Sequence, residues 1–208
     1  MTLMLHPRVL ELMASRICHD LVSPVGAVNN GVELMQELGA DAGDEAVKLV
    51  ESSATQASAR LKCFRLAYGA AGSDQNIGFR EVRDAFDAWS HGGRLKVEYA
   101  PDIAVKFSMP PKGFYKCLLN ILVLADECNR GDSDIAVAAD ASAGVRICVF
   151  GNAAFRDGME TALKGDVAPE SLDARAVHAY ITGKFVEYFG LKLSAQAGDG
   201  RIDFTLSY

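Results

Sequence analysis

The chain has 208 residues, room for one or two domains, and half of them are apolar, enough for a sizeable core. Its net charge is −6 with no clustered basic patch, which argues against a nucleic-acid partner. No apolar run has the length of a membrane span and no charged-then-apolar signal segment opens the chain, so a cytoplasmic protein with no membrane partner is expected.

The first element is a long helix. Leu10, Met13, Ile17, Leu21, Val25, Val28, Val32 and Met35 recur at steps of three or four and form one apolar stripe. At about 100° per residue, His19 lies roughly 200° from Ile17, on the side turned to water, with Asp20 beside it. An exposed imidazole next to a carboxylate is free to act as a nucleophile, though most such pairs are only solvated charges. Pro24 has no N–H, so the Asp20 carbonyl loses its helical partner, and the helix is expected to kink or loosen near His19.

A second helix is expected from about Asp44 to Tyr68, with a heptad seam through Val47, Val50, Ala54, Ala57, Leu61, Phe64 and Tyr68. Gly39 and Gly43 bracket a short turn, so the two helices should form an antiparallel hairpin. Such a hairpin cannot hide its stripe alone. Either a second copy covers it, giving a four-helix bundle, or the rest of the chain does; the length and regularity of the seam favour the homodimer.

Gly69 to Gly78 is rich in small and polar residues and reads as a linker. Beyond it the period changes. Arg80 to Trp89 is helical in pattern, and Leu95 to Tyr99 alternates like a strand. Pro110 and Pro111 can open a helix running through Asn120 to Cys128. Ile135 to Val137 and Val145 to Phe150 read as paired strands, followed by a helix from about Leu172 to Phe189. A hairpin of Leu191 to Ala195 and Ile202 to Leu206 closes the chain around Gly198-Asp199-Gly200. The order αβαββαββ predicts a two-layer α/β sandwich, so the whole is α+β: a hairpin domain over residues 1–72 and a sandwich over residues 73–208. Cys18, Cys63, Cys117, Cys128 and Cys148 are scattered with no C-x-x-C pair and read as buried small hydrophobes; His6, His91 and His178 are dispersed too, so no metal site is expected.

The string His19-Asp20-Leu21-Val22-Ser23-Pro24-Val25 resembles the phospho-acceptor box of sensor histidine kinases, commonly His-Glu-Leu-(Arg/Lys)-(Thr/Asn)-Pro-Leu, with Val22 standing where a basic residue is usual. A helical hairpin followed by αβαββαββ is also the layout of a histidine kinase core. The nucleotide motifs of that family are eroded here. Asn120 lines up with the first asparagine of Asn-Leu-x-x-Asn-Ala, but Leu124 replaces the second. Gly151-Asn152-Ala153-Ala154 stands where Asp-x-Gly-x-Gly would bind adenine, without an acid. Arg175-Ala176-Val177-His178-Ala179-Tyr180 stands where a glycine-rich phosphate loop would open the last long helix, without a glycine. A phosphate tail needs backbone N–H groups reached through glycines, so ATP should not bind well and no cofactor of this chain is expected.

An acceptor histidine kept beside a discarded ATP site resembles the dimeric, kinase-derived histidine phosphotransferases. The resemblance implies a phosphotransferase, not an ATP-dependent kinase, in a multistep phosphorelay of a bacterial cell-cycle pathway. His19 would carry the phosphoryl group, with Asp20 orienting the ring or stabilising its charge. The implied partners are the receiver domain of a hybrid kinase of the CckA type and response regulators of the CtrA and CpdR types, the receiver bringing Mg²⁺. Helical spacing sets Leu12, Ser15, Arg16, Val22, Ser23, Gly26 and Asn30 within about 60° of His19 as a receiver-docking strip; Val22 and Gly26, small and apolar toward water, mark it as a contact patch. A histidine kinase with diverged nucleotide motifs, or a non-enzymatic dimeric receiver scaffold, are the alternatives.

Overall fold

Pro7 sits in the first turn of α1 (Pro7–Leu38), where its missing N–H removes no helical hydrogen bond, and the His6 ring accepts from the Arg8 backbone N–H at 3.2 Å as a cap. The structure, a computed structural model, describes residues 4–39, 43–73, 77–90, 95–107, 109–140 and 144–208; His91 lies outside them. Helix α1 runs on through Pro24, which is buried. Antiparallel to it lies α2 (Gly43–Ala67). Gly31 permits their close approach, since a Cβ there would stand 2.6 Å from Val50 Cγ2.

The hairpin covers its stripe only in part. Val9, Leu12, Met13, Ala46, Ala59, Cys63 and Phe64 are buried, whereas seam residues Leu10, Val25, Val32, Val47 and Leu61 stay exposed, Leu10 at 59% and Leu61 at 55%. The core of the second unit is continuous with Val9, Leu12, Met13, Phe64, Leu66 and Ala67 of the hairpin.

The second unit follows the predicted order with two added short helices. Helix α3 (Phe79–Ser90) is followed by β1 (Lys96–Tyr99), α4 (Ile103–Lys106), α5 (Phe114–Cys128), β2 (Asp134–Asp140), β3 (Gly144–Phe150), α6 (Met159–Lys164), α7 (Val177–Tyr188), β4 (Lys192–Gly198) and β5 (Arg201–Ser207). The sheet order is β1-β2-β3-β5-β4; β1 and β2 run parallel and the other pairs are antiparallel. Ile135, Val137, Val145, Ile147, Val149, Ile202, Phe204 and Leu206 point into the core beneath α5 and α7, while Arg146, Asp203 and Thr205 line the open face. Gly200, at φ 65°, makes the two-residue turn between β4 and β5.

Several boundaries differ from the sequence reading for local reasons. Helix α5 starts at Phe114, after Gly113 at φ 82°, not at the prolines. Helix α7 starts at Val177, because Asp173 Oδ1 accepts the Arg175 and Ala176 N–H groups at 2.9 and 2.8 Å and holds the preceding residues in a turn. The start of the expected linker is bound down: residues 70–73 form a 3-10 turn, and Lys116 Nζ donates to the Gly69 carbonyl at 2.7 Å. Cys18 is exposed, against expectation, because it precedes His19 on the water side; the other four cysteines are buried. Among the described residues no helix is long and apolar enough to cross a membrane.

Candidate functional site

His19 stands on the outer side of α1 with its side chain 89% exposed. Its Nδ1 lies 3.3 Å from Asp20 Oδ1. The pair is asymmetric: Asp20 is only 24% exposed and turns toward the protein. When Nδ1 carries the hydrogen and donates to that carboxylate, Nε2 keeps its lone pair and faces solvent.

Beneath the pair lies a polar network between the hairpin and the α/β unit. Arg16 Nη2 and His178 Nδ1 both meet the same oxygen of Glu127, Oε1; the His178 contact is 2.8 Å. His178 Nε2 lies 3.2 Å from Asn120 Oδ1. Asn120 Nδ2 donates to the carbonyls of Ala67 and Lys116, each at 2.8 Å. The Tyr68 ring meets His178 edge-on, with centroids 5.8 Å apart. Next to Glu127 on α5, Asp126 accepts from Trp89 Nε1 at 2.9 Å, and the Arg60 guanidinium lies 3.7 Å from the centre of that indole. Helices α1, α2, α3, α5 and α7 therefore meet at one polar seam.

Burial sets its charge states. Burial holds the His178 pKa below the ordinary histidine value in spite of Glu127, whose carboxylate meets its Nδ1. Burial pushes the Glu127 carboxyl up, but His178 and Arg16 outweigh it and the net direction is down. For Arg16, burial is outweighed by the carboxylates of Glu127 and Asp20, and its pKa rises. Burial also brings Lys116 down to about 8.

The remaining docking residues divide into two groups. Ser15, Val22, Ser23 and Asn30 are exposed, Val22 at 69%, and Gly26 is half-buried with open space at its Cβ direction. Leu12 does not belong to the strip: it is 7% exposed and packs in the core, because the N-terminal third of α1 is covered by α7 and the 169–171 turn. Arg16 does not belong to it either, since its guanidinium turns inward to Glu127 and its side chain is 14% exposed. Sequence reasoning missed Glu127 and His178. Glu127 stands 111 residues from Arg16 and 51 from His178, so no local spacing joins them. The available signal was an acid closing an apolar helix and a histidine inside another.

The chain's relatives agree with this architecture. Residues 79–201 match the family model described as the histidine phosphotransferase C-terminal domain. The chain is 36% identical over 202 residues to the protein phosphotransferase ChpT of Brucella abortus (strain 2308), covering 89% of this chain and 88% of that one. A solved structure described as a bacterial phosphotransferase superposes with a TM-score of 0.78 at 30% identity, over 99% of this chain and 98% of that one. The chain belongs to the histidine phosphotransferase family. It is a protein phosphotransferase of a phosphorelay, a class that exchanges phosphoryl groups with receiver domains and response regulators.

Proposed function

We propose that His19 carries the phosphoryl group, taking it from the aspartyl phosphate of one receiver domain and passing it to the aspartate of another. The observation that carries this reading is the exposed imidazole whose Nδ1 faces Asp20 at 3.3 Å, leaving Nε2 open to a partner. The Nε2 lone pair attacks phosphorus as the phosphorus–oxygen bond to the receiver breaks, and that bond's electron pair stays on the receiver's carboxylate. The ring becomes positive as the nitrogen–phosphorus bond forms, and the Asp20 carboxylate at Nδ1–H stabilises it. The reverse order of steps loads the second receiver. Catalysis is then positioning and charge neutralisation, with Mg²⁺ held by the receiver.

Ser15, Val22, Ser23, Gly26 and Asn30 form the receiver-docking strip on the exposed side of α1. The exposed seam residues Leu10, Val25, Val32, Val47 and Leu61 support a homodimer built as a four-helix bundle, in a cytoplasmic protein whose partners are receivers of the CckA, CtrA and CpdR types and whose pathway governs the cell cycle.

The α/β unit does not fit ATP. The amide hydrogens of Asn120 are given to Ala67 and Lys116 and its oxygen faces His178, Leu124 is fully buried, and α7 opens without a glycine. These residues lack the free donors and close backbone approach that a nucleotide phosphate requires. The deciding experiment incubates the protein with a phosphorylated receiver domain. Acid-labile, base-stable phosphate on wild type and none on His19→Ala is the expected result; equal labelling of both overturns the assignment.

A further inference from the structure

Arg16 lies one helical turn before Asp20, at the spacing at which side chains on a helix meet and opposite charges pair. It is a competitor of His19 for the Asp20 carboxylate, whose charge helps raise the Arg16 pKa. In the structure Arg16 is turned away, onto Glu127. Its Nε is nevertheless buried with no hydrogen-bond partner among the described residues, so the guanidinium has a donor to spare. Glu127, which holds the Arg16 Nη2 end, is itself anchored by His178.

We propose that Glu127 is a positioning residue for phosphotransfer: by holding the Arg16 guanidinium it leaves the Asp20 carboxylate on Nδ1 of His19, and so presents Nε2 as the nucleophile. This rests on the reading of His19 as the phosphoryl carrier. Three features of the network suit the role. The Arg16 and Glu127 side chains are 14% and 10% exposed, which limits the water that competes for either. Its backbone carbonyl accepts from Arg156 Nε at 2.9 Å, which fixes the end of α5. The same carboxylate oxygen takes both Arg16 and His178, so the α/β unit sets the position of Arg16 through α5 and α7 together. The α/β unit thereby acts on the acceptor histidine without touching it.

A double-mutant cycle with Asp20 tests this. Glu127→Gln should lower the rate of phosphoryl transfer from a phosphorylated receiver by on the order of tenfold or more, within the range of a lost general acid–base partner, while the receiver's Kd is unchanged. In an Asp20→Asn background the same change should cost nothing further, because both act through one carboxylate. Adding Arg16→Gln to Glu127→Gln removes the freed competitor and the uncompensated buried charge together, and should return most of the lost rate. Additive losses in the Asp20→Asn background, or a wild-type rate in Glu127→Gln, would overturn the proposal. Nitrogen NMR of the His19 ring gives a readout that needs no transfer: wild type should hold the Nδ1–H tautomer and Glu127→Gln should lose that preference, returning to it in the Arg16→Gln/Glu127→Gln pair. An unchanged tautomer in a folded Glu127→Gln protein sinks the proposal even if His19 is the carrier. Phosphate uptake by His19→Ala would instead sink the carrier assignment, with the NMR result still standing on its own.

Discussion

Asn120 Nδ2 stands 2.8 Å from the carbonyl oxygen of Ala67, so the asparagine that matches a nucleotide-site motif ties α5 to the end of α2 instead. Ala67 closes α2, and the carbonyls of a helix's last turn lack a helical partner, so a side-chain donor is worth most there. Asn120→Ala is expected to lower stability by about 1–3 kcal/mol, the cost of leaving a buried carbonyl unpaired. Urea denaturation measures it, and an unshifted midpoint would contradict the role given to this contact.

The same engagement bears on nucleotide binding. A ligand present at a hundredfold excess over its Kd raises stability by about 2.7 kcal/mol, a shift easily seen in thermal unfolding. Millimolar Mg·ATP is expected to leave the melting temperature where it is. A clear upward shift would return the chain to the kinases.

His19→Ala should abolish transfer in both directions, because no neighbouring side chain offers an exposed nitrogen in its place. Asp20→Asn should slow transfer by up to roughly 10²- to 10⁴-fold without stopping it. Both proteins should stay folded, since the His19 side chain is 89% exposed and Asp20 has no place in the apolar core. Rapid-quench measurement of phosphohistidine separates the two; an Asp20→Asn protein as inactive as His19→Ala would give the carboxylate a larger part than orientation.

Val22→Glu and Gly26→Arg put charge on the strip without disturbing the fold, because Val22 is 69% exposed and a Cβ on Gly26 meets no atom within 4 Å. Each should raise the Kd for a receiver by on the order of tenfold or more, about 1.4 kcal/mol. Calorimetric titration with a receiver domain reads this directly. Unaltered affinity in both variants would remove the strip from the interface.

Acid should destabilise the protein in two stages. His178 has a folded pKa below its unfolded value, so as pH falls past about 6.5 the unfolded chain takes up a proton that the folded one refuses. Stability from this group is complete above that pH and is lost as pH drops toward the folded pKa. Glu127, with its folded pKa also depressed, adds a second loss below about 4.3, where the unfolded carboxyl protonates. The urea midpoint should therefore decline from about pH 7 to 5.5 in wild type and less so in His178→Gln. Parallel profiles for the two proteins would assign the first stage to other groups.

Much of this was legible in the sequence. Regular spacing along α1 gave the outward aspect of His19, and the apolar runs gave β2 and β3 as a pair and β4 and β5 as a closing hairpin; the register, with Ile135 opposite Val149, is seen only in the structure. Rotation about a helix axis says which side a residue faces, not what lies beside the helix at that height. Leu12 and His19 share nearly one azimuth, yet Leu12 is covered by the α/β unit and His19, two turns on, is free. Arg16 was misassigned for the same reason. The Arg16–Glu127–His178–Asn120 network is made by three helices meeting, α1, α5 and α7, and no window of adjacent residues contains it. The short helices α4 and α6 fall below the length at which periodicity can be counted.

The parallel strand at the sheet's edge has a kinetic consequence. Strands β2 and β3, and likewise β4 and β5, are neighbours in sequence and can zip locally, whereas β1 reaches β2 only after α4 and α5 have been laid down between them. That closure spans the longer loop and pairs only four residues, Lys96 to Tyr99, through one edge. Strand β1 is thus expected to join the sheet last and leave it first, and its amide hydrogens should exchange with solvent well ahead of those of β3, which is paired on both sides.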